Sequence, residues 1–309
     1  MSPGLHGFAA ARPILTGLAR ATSVVSLEGR WLLHAGPPYA GRDEVPPPVI
    51  ASAALAAIHE GWADTATEAE ALVRSGAIRL EPAQAHRCVT PLAALIAPST
   101  PLLVVEEPAG VVAPVFAPLG TTRGPDLRFG TRDEAILRRL ARRDTDEAEA
   151  VASALEGAPI DLLEVARAGL EGGDDLHNRT TAATAALVSE LRARARGGGG
   201  AFGAERVFEA IEATPLYFLT FWMAAARLIL SAAETDAPPS LVTRMAGNGN
   251  VFGLSLAGRP AEWTVVPADP PRGPYISQAG ADARPTGAIG DSAVIDALGF
   301  GAQALRFAA

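Results

Sequence analysis

Two glycine-led segments constrain the fold of this 309-residue chain more than any other feature. The first, residues 172–191, reads GGDDLHNRTTAATAALVSEL, and the second, residues 287–300, reads GAIGDSAVIDALGF. In each segment the glycines end whatever precedes them and place short polar side chains at the start of an apolar helix. Because the N–H groups of a helix start favour anions, each segment predicts either a capped helix or an anion-binding site.

The first segment predicts a helix that begins with an N-cap at Asp174 or Asp175 and runs to about Arg196, where four glycines follow. The leucines of this segment recur at helical spacing, so one face should pack against the core. The neighbouring faces are dense in polar groups, namely His177, Asn178, Arg179, Thr180, Thr181 and Thr184. A guanidinium at such a helix start would clamp phosphate or carboxylate. The alternative is that these groups only cap the helix.

The second segment repeats this pattern over fewer residues. A glycine turn ending at Gly290 delivers Asp291 and Ser292 to the start of an apolar helix. Backbone N–H groups and a hydroxyl at such a point can donate hydrogen bonds to an anion, although helix capping alone would need the same residue types.

Composition excludes several function classes. The net charge of −8 argues against a nucleic-acid binder. The chain contains no lysine, so it has no P-loop lysine, Schiff base or pyridoxal attachment point, and its one cysteine, Cys88, excludes an internal disulfide and a cysteine-based metal site. We therefore predict no cofactor and no metal. The remaining arginines, hydroxyls, amides and N–H groups suit a small anion and the stabilisation of developing negative charge.

One apolar stretch, residues 216–233, has about the length of a membrane span. However, Arg227 lies within it, and Pro215 and Pro238 bracket it, which favours a buried core helix. The first residues, MSPGLHGFAAARP, lack the basic and apolar regions of a signal peptide. The sequence therefore predicts a cytoplasmic protein with no membrane contact.

The order of helix and strand patterns predicts an α+β fold in three parts. Residues 1–130 alternate helices and strands, including strands near 23–27, 30–34 and 101–106, and form an N-terminal α/β unit. Residues 131–235 form a helical middle region with a flexible connector at 197–204. Residues 236–309 form a C-terminal mixed β/α region. It includes a hairpin whose Asn-Gly turn contains Asn248 and Gly249.

The loop of residues 34–48 contains five prolines and two glycines, which excludes regular structure. A rigid loop beside predicted strands often lines a site. His34 at its entrance is either a functional imidazole or a histidine satisfied by backbone at a strand end.

Four motifs in order identify a family resemblance: LHAGPP at 33–38, GDDLHNRTTAAT at 173–184, MAGNGNVFG at 245–253 and GAIGDSA at 287–293. With these motifs, residues 12–304 resemble the proteins of domain of unknown function 1116, which include a subunit of oxamate carbamoyltransferase from purine and allantoin breakdown. The resemblance implies a multi-part α+β protein that joins carbamoyl phosphate to oxamate, or runs the reverse reaction. A diverged member could instead serve secondary metabolism. The implied partners are a small anionic substrate and hetero-subunits, one of them similar to an acyl-CoA synthetase. We also expect a homo-oligomer.

The resemblance also implies roles for individual residues. The catalytic candidates are His177, which would move a proton or polarise the carbonyl, and Asp291 with Ser292, which would supply donors to an oxyanion. The candidates for substrate or anion binding are His34, Gly36, His86, Asp174, Asn178, Arg179, Thr180, Thr181, Asn248, Gly249 and Gly290.

The sequence departs from the family pattern at several polar positions. A Cys-Gly-Pro-Met-Arg run of the family is replaced by residues 46–50, and its His-Glu-His appears here as Gln84, Ala85 and His86. Gly247 stands where the family has an arginine, and Thr220 where it has an asparagine. Relatives also continue into a further glycine-rich module, which a partner could supply here. Two hypotheses follow: a carbamoyltransferase-like enzyme or enzyme subunit, and a non-catalytic assembly subunit that has lost part of the site.

Overall fold

The structure is a computed structural model, and it describes residues 6–198, 201–234, 237–270 and 285–301. The helices are α1 His6–Ala10, α2 Ala21–Val24, α3 Pro47–His59, α4 Ala66–Ser75, α5 Ala135–Arg142, α6 Ala148–Leu155, α7 Leu162–Glu171, α8 Thr181–Gly198, α9 Ala201–Glu212, α10 Leu219–Ala233 and α11 Ala293–Ala297. The strands are β1 Ile14–Arg20, β2 Trp31–His34, β3 Arg79–Pro82, β4 Pro101–Glu106, β5 Val115–Pro118, β6 Ile160–Asp161, β7 Val242–Asn248, β8 Val251–Leu256, β9 Arg259–Pro267 and β10 Ile289–Gly290.

An antiparallel sheet in the order β5-β4-β1-β6 covers one side of the largest hydrophobic core. Inward residues of these strands, such as Leu15 and Leu103, pack with apolar residues of α6, α7, α8, α9 and α10. Helix α10 is buried along nearly its whole length, as its unbroken apolar sequence predicts. Within the described ranges, no helix is both long enough and apolar enough to cross a bilayer.

A short parallel pair, β2 and β3, lies in a second part of the fold beside the helix pair α3 and α4. Its register runs from Trp31 opposite Arg79 to His34 opposite Pro82. Because parallel strands end at the same edge of a sheet, the loop after His34 and the turn after Pro82 begin next to each other.

The C-terminal sheet has the order β10-β7-β8-β9. Strands β7 and β8 form the predicted hairpin through the Asn-Gly turn. Strand β10 pairs with the end of β7, placing Ile289 opposite Asn248 and Gly290 opposite Gly247. This pairing brings the second glycine-led segment against the hairpin turn.

The structure confirms the α+β fold, the helical middle and the strands at 101–106 and 251–256. The strand expected at 23–27 is wrong. The chain turns into α2 there because the N–H groups of Ala21 and Thr22 donate to the carbonyls of Thr100 and Pro98. The connector expected at 197–204 is also wrong in part, because α8 continues to Gly198 and α9 begins at Ala201. Residues 199–200 of that connector lie outside the described residues.

The expected start of α8 is wrong by several residues. The helix begins at Thr181, and residues 173–180 form a loop. Gly173 and Leu176 have left-handed φ values of 88° and 63°, which a right-handed helix cannot contain. The carboxylate Oδ1 of Asp175 instead accepts the N–H groups of His177, Asn178 and Arg179. The polar residues of the first segment therefore lie on a loop held by Asp175.

Candidate functional site

Asp291 is the centre of the second glycine-led segment and is fully buried. Its Oδ1 accepts hydrogen bonds from the Gly36 N–H at 3.0 Å and from Gln84 Nε2 at 2.8 Å. Its Oδ2 accepts the Thr90 N–H at 2.9 Å. Burial raises the pKa of the Asp291 carboxyl to about 6, against the opposing effect of these three hydrogen bonds. We call Asp291, Gly36, Gln84 and Thr90 the Asp291 cluster.

The loop after β2 and the hairpin turn pack backbone against backbone beside this cluster. Gly36 has a φ of 83°, and a β-carbon on it would lie only 2.5 Å from the carbonyl carbon of Gly247. Asn248 Nδ2 donates to the Pro37 carbonyl at 2.9 Å. Its Oδ1 accepts the N–H groups of Asn250 and Val251, both at 3.0 Å. Asn248 and the backbone of Gly249 thus shape the turn that supports the loop.

His34 lies at the end of β2 with only 1% of its surface exposed. Its Nδ1 is 2.8 Å from the Ala35 carbonyl, an acceptor, so Nδ1 carries the proton and Nε2 has a free lone pair. Burial lowers the pKa of His34 to about 4, so the ring is neutral. Among the described residues, Nε2 has no hydrogen-bond partner. The ring stacks on Tyr39 at 4.4 Å, and Tyr39 donates to the Asn248 carbonyl at 3.2 Å.

Gly290 and Leu92 meet in an unusual backbone arrangement. Gly290 has a φ of 139°, and a β-carbon there would lie 2.9 Å from the Leu92 nitrogen. Leu92 itself has a φ of 47° and is 43% exposed. Such a conformation costs a non-glycine residue free energy and is concentrated at functional sites. Ser292 follows at the N-cap position of α11, half-buried, and its side chain makes no capping bond to that helix.

The two glycine-led segments meet through His177. Its Nδ1 lies 3.0 Å from Asp296 Oδ2 on α11, and the Gly301 N–H donates to the Asp175 carbonyl at 3.0 Å. Asp296 follows Ser292 by four residues, so these two residues lie on the same side of α11.

Other polar residues of the first segment serve the fold. Asp174 Oδ2 accepts the Ala183 N–H at 2.8 Å, and Thr180 Oγ1 donates to the Pro215 carbonyl at 2.9 Å. Both side chains are buried, which fits the capping interpretation for these two. Three remain exposed: Asn178, Arg179 and Thr181. Within the described ranges, the Arg179 guanidinium forms one hydrogen bond, to the Gly173 carbonyl at 3.3 Å.

Sequence comparison assigns the chain to a family. Residues 78–292 match the family described as oxamate carbamoyltransferase subunit AllG. The chain belongs to the AllG family. Oxamate carbamoyltransferase subunit AllG of Escherichia coli (strain K12) is 30% identical over 306 residues, covering 96% of this chain and 71% of that protein. Uncharacterized protein YahG of the same strain is 30% identical over 301 residues, covering 96% of this chain and 63% of YahG.

A solved structure shares the fold. The crystal structure of a conserved protein of unknown function from Enterococcus faecalis V583 superposes with a TM-score of 0.88 at 26% identity. The superposition covers 98% of this chain and 73% of the other. The chain thus spans 63% to 73% of the length of these three relatives.

Not every expected residue of this AllG-family chain reaches the site. His86 lies on the same turn as Gln84, but its side chain is near Glu81 and Arg79. Burial lowers the pKa of the His86 imidazole, while the charge of Glu81 raises it and the charge of Arg79 lowers it. Gln84 is the residue of this turn that contacts Asp291. Gly247 has no room for the arginine of the family pattern, since a β-carbon there would lie 2.2 Å from the Ala288 carbonyl oxygen.

Sequence reasoning missed several residues of the site, namely Tyr39, Gln84, Thr90, Leu92, Arg227 and Asp296. Gln84 had a signal, because it departs from the family's His-Glu-His pattern. Arg227 also had one, as a charge within an apolar helix. It is buried, bonds Ser231 at 2.7 Å and Glu234 at 3.1 Å, and lowers the pKa of Asp291. In the described part of the chain, no three His, Cys, Asp or Glu side chains form a group that could hold a metal ion.

Proposed function

We propose that this chain is a carbamoyltransferase-like enzyme or enzyme subunit, which transfers a carbamoyl group from carbamoyl phosphate to a small carboxylate or amide. The observation that carries the proposal is the contact of His177 with Asp296, one turn from Ser292 and next to the Asp291 cluster. This contact supports one shared site for the two glycine-led segments. The reaction class is that in the name of the relative, oxamate carbamoyltransferase subunit AllG.

We assign phosphate binding to the exposed residues of the loop before α8 and of the start of that helix. Among the residues that the structure describes, the Arg179 guanidinium bonds only the Gly173 carbonyl, so it can form paired hydrogen bonds to a phosphate. Asn178 and Thr181 are exposed beside it and can donate further hydrogen bonds. Such charge-assisted hydrogen bonds hold the phosphate group of carbamoyl phosphate while the carbamoyl carbon reacts.

The reacting carbonyl lies between the two segments in this proposal. The hydroxyl of Ser292, which is not used in capping, and nearby N–H groups donate to the oxyanion that develops on the carbamoyl carbon. His34 Nε2 accepts an N–H of the carbamoyl group and so orients it. Because both oxygens of Asp291 already accept hydrogen bonds, Asp291 is a positioning residue that holds Gly36, Gln84 and Thr90.

The chemical step exchanges one bond for another. The nitrogen of the acceptor amide forms a bond to the carbamoyl carbon, and the bond from that carbon to the phosphate oxygen breaks with its electron pair. The proton lost by the nitrogen passes through His177 to the departing phosphate. Oxamate is the acceptor named for the AllG relative, and it is the first candidate here.

The test is to incubate the purified chain with carbamoyl phosphate and oxamate and to measure inorganic phosphate and the new ureido product. We expect both to appear together, and Arg179→Ala to lower kcat/KM about 100-fold. The matched control is Arg138→Ala, which removes an exposed guanidinium from α5 and should change the rate less than twofold. Equal rates for the two variants would contradict the assignment of Arg179.

The second candidate is a non-catalytic assembly subunit, favoured by the edge strand β9. Val265 and Val266 on this strand are 45% and 58% exposed, and exposed apolar edge strands pair with other chains. The partners would be a second copy or hetero-subunits, including one similar to an acyl-CoA synthetase. Light scattering of the purified chain tests this candidate, since a monomer that stays monomeric with such subunits contradicts it. Neither candidate involves nucleic acid or a membrane, and both fit a cytoplasmic location.

A further inference from the structure

One edge of strand β1 is free over most of its length. Strand β4 pairs with one side of β1 from Ile14 to Arg20, but β6 pairs with the other side only at Ile14 and Leu15. The β1–β4 register shifts between Leu15 and Gly17, which marks a β-bulge, and a bulge bends its strand where the β6 pairing ends. In the described part of the chain, no strand pairs with the β6 side of residues 16–20.

A groove runs along this free edge, between β1 and α6. It consists of two adjoining depressions, with volumes of about 420 and 400 Å³, which share Leu18 of β1. Five consecutive residues of the strand, from Thr16 to Arg20, line the two depressions. Because the side chains of a strand alternate between the two faces of its sheet, a groove lined by consecutive residues follows the edge of the strand.

The exposed side of α6 forms the other wall of the groove. Ala152 lines both depressions, and its small side chain leaves the groove open. The N–H and C=O groups on the free side of a strand pair readily with another chain, which then adds to the sheet as a further strand. A groove beside such an edge therefore fits an extended segment of polypeptide.

The charge of the groove selects a basic segment. Glu149 and Glu156 line it from α6, and their spacing of seven residues places them on the same side of that helix. Both are exposed, and neither side chain has an ion pair or hydrogen bond within the described ranges. The other charged residues are already engaged, since Asp144 pairs with His59 and Arg20 donates to a backbone carbonyl. The two free carboxylates are therefore complementary to the arginine or lysine side chains of a partner.

We propose that an extended segment of another protein, with basic side chains at alternate positions, adds to the free edge of β1 in this groove. Its backbone pairs with residues 16–20, and its basic side chains on the α6 side face Glu149 and Glu156. None of the residues that line the groove belongs to the Asp291 cluster or to either glycine-led segment. The docking site therefore does not depend on the proposed carbamoyl transfer.

The test follows amide hydrogen exchange of the full chain with the peptide acetyl-Val-Arg-Val-Arg-Val-amide at 1 mM. We expect the outward-facing amides of residues 16–20 to exchange at least about fivefold more slowly with this peptide. The matched probe is the same peptide with every backbone nitrogen methylated, which keeps both guanidinium groups and has no N–H donor. It should leave the exchange unchanged. A second probe with glutamate in place of both arginines should bind about tenfold more weakly.

Variants of the two helices separate this site from general attraction to an acidic protein. Glu149→Gln combined with Glu156→Gln should raise the Kd of the basic peptide about tenfold, and Ala152→Trp, which fills the groove, should abolish binding. The control is Glu164→Gln combined with Glu171→Gln, which removes two exposed carboxylates with the same spacing from α7 and should change the Kd less than about twofold.

Four results would overturn the proposal. They are unchanged exchange at 1 mM peptide, equal slowing by the methylated peptide, equal effects of the two double variants, and slowing confined to the amides of β9. The last result would place the docking edge on the C-terminal sheet.

Discussion

His177 Nδ1 lies 3.0 Å from Asp296 Oδ2, and this contact ties the loop before α8 to the short helix α11. The two residues come from segments that are separated by more than a hundred positions in sequence. Asp296 Oδ2 lies within ion-pair distance of Nδ1 and holds this side of the imidazole against α11. Asp296 thereby sets the orientation of the ring that the proposed reaction uses for proton transfer.

Replacing this carboxylate should slow catalysis without weakening substrate binding. We predict that Asp296→Asn lowers kcat about 10-fold to 100-fold and changes KM for carbamoyl phosphate less than about threefold. The control is Glu262→Gln, which removes an exposed carboxylate on β9. Steady-state phosphate release measures both constants. A rise in KM with kcat unchanged would show that Asp296 does not act through His177.

The buried carboxyl of Asp291 predicts a pH dependence of stability. Its pKa of about 6 in the fold exceeds its ordinary value of 3.8, so the folded state binds this proton more tightly than the unfolded state. The contribution of Asp291 to the free energy of unfolding should therefore fall, by on the order of 3 kcal/mol, as pH rises from about 4 to about 6, and it should be level above that.

Asp291→Asn isolates this contribution, because asparagine does not titrate. It also turns an NH₂ group toward N–H donors, so we expect it to be less stable than the parent at pH 7 by about 1–3 kcal/mol. Urea unfolding from pH 4 to pH 8 checks both statements. A parent-minus-variant difference that stays constant across this range contradicts the assignment of the titration to Asp291.

Gly36 is predicted to tolerate substitution far less well than a glycine of similar φ outside the site. Gly36→Ala would place its β-carbon 2.5 Å from the Gly247 backbone at a φ of 83°, and we expect a loss of about 3 kcal/mol or more. Gly29 has a similar φ of 76° with open space around it, so Gly29→Ala should cost only about 1 kcal/mol. Urea unfolding compares the two variants. Equal losses would mean that the backbone contact between the loop and the hairpin is not a constraint.

His34 is predicted to stay neutral over the physiological range. Its pKa of about 4 lies below the ordinary 6.5, so between these values the folded state binds fewer protons and stability rises with pH. Long-range ¹H–¹⁵N NMR should show that Nδ1 is protonated and Nε2 is unprotonated from pH 5.5 to pH 8. In denaturant the same nucleus should titrate near 6.5. A midpoint near 6.5 in the folded protein, or a proton on Nε2, would remove its proposed role as an acceptor.

The sequence was a good guide to elements with strong local signals. The buried strand β4 and the hairpin of β7 and β8 follow from apolar runs and an Asn-Gly turn. Helix α10 follows from its unbroken apolar pattern, with Arg227 marking a buried pair and not a membrane surface. In each case the residues that decide the structure are close together in sequence.

The site was only partly predictable, because its contacts are long-range. Gly290, Asp291 and Gly36 stood out as motif residues, but nothing local pairs Asp291 with Gln84, 207 positions away. The start of α8 was misplaced because Asp175 caps a loop with the same side chain that would cap a helix.

Carbamoyl transfer by this chain can be followed by ¹³C NMR of the purified protein with ¹³C-labelled carbamoyl phosphate and oxamate. We expect a new ureido carbonyl resonance that grows in step with inorganic phosphate and requires both substrates and the protein. Decay of carbamoyl phosphate at the protein-free rate, with no ureido resonance, would contradict catalysis by this chain and leave the assembly role.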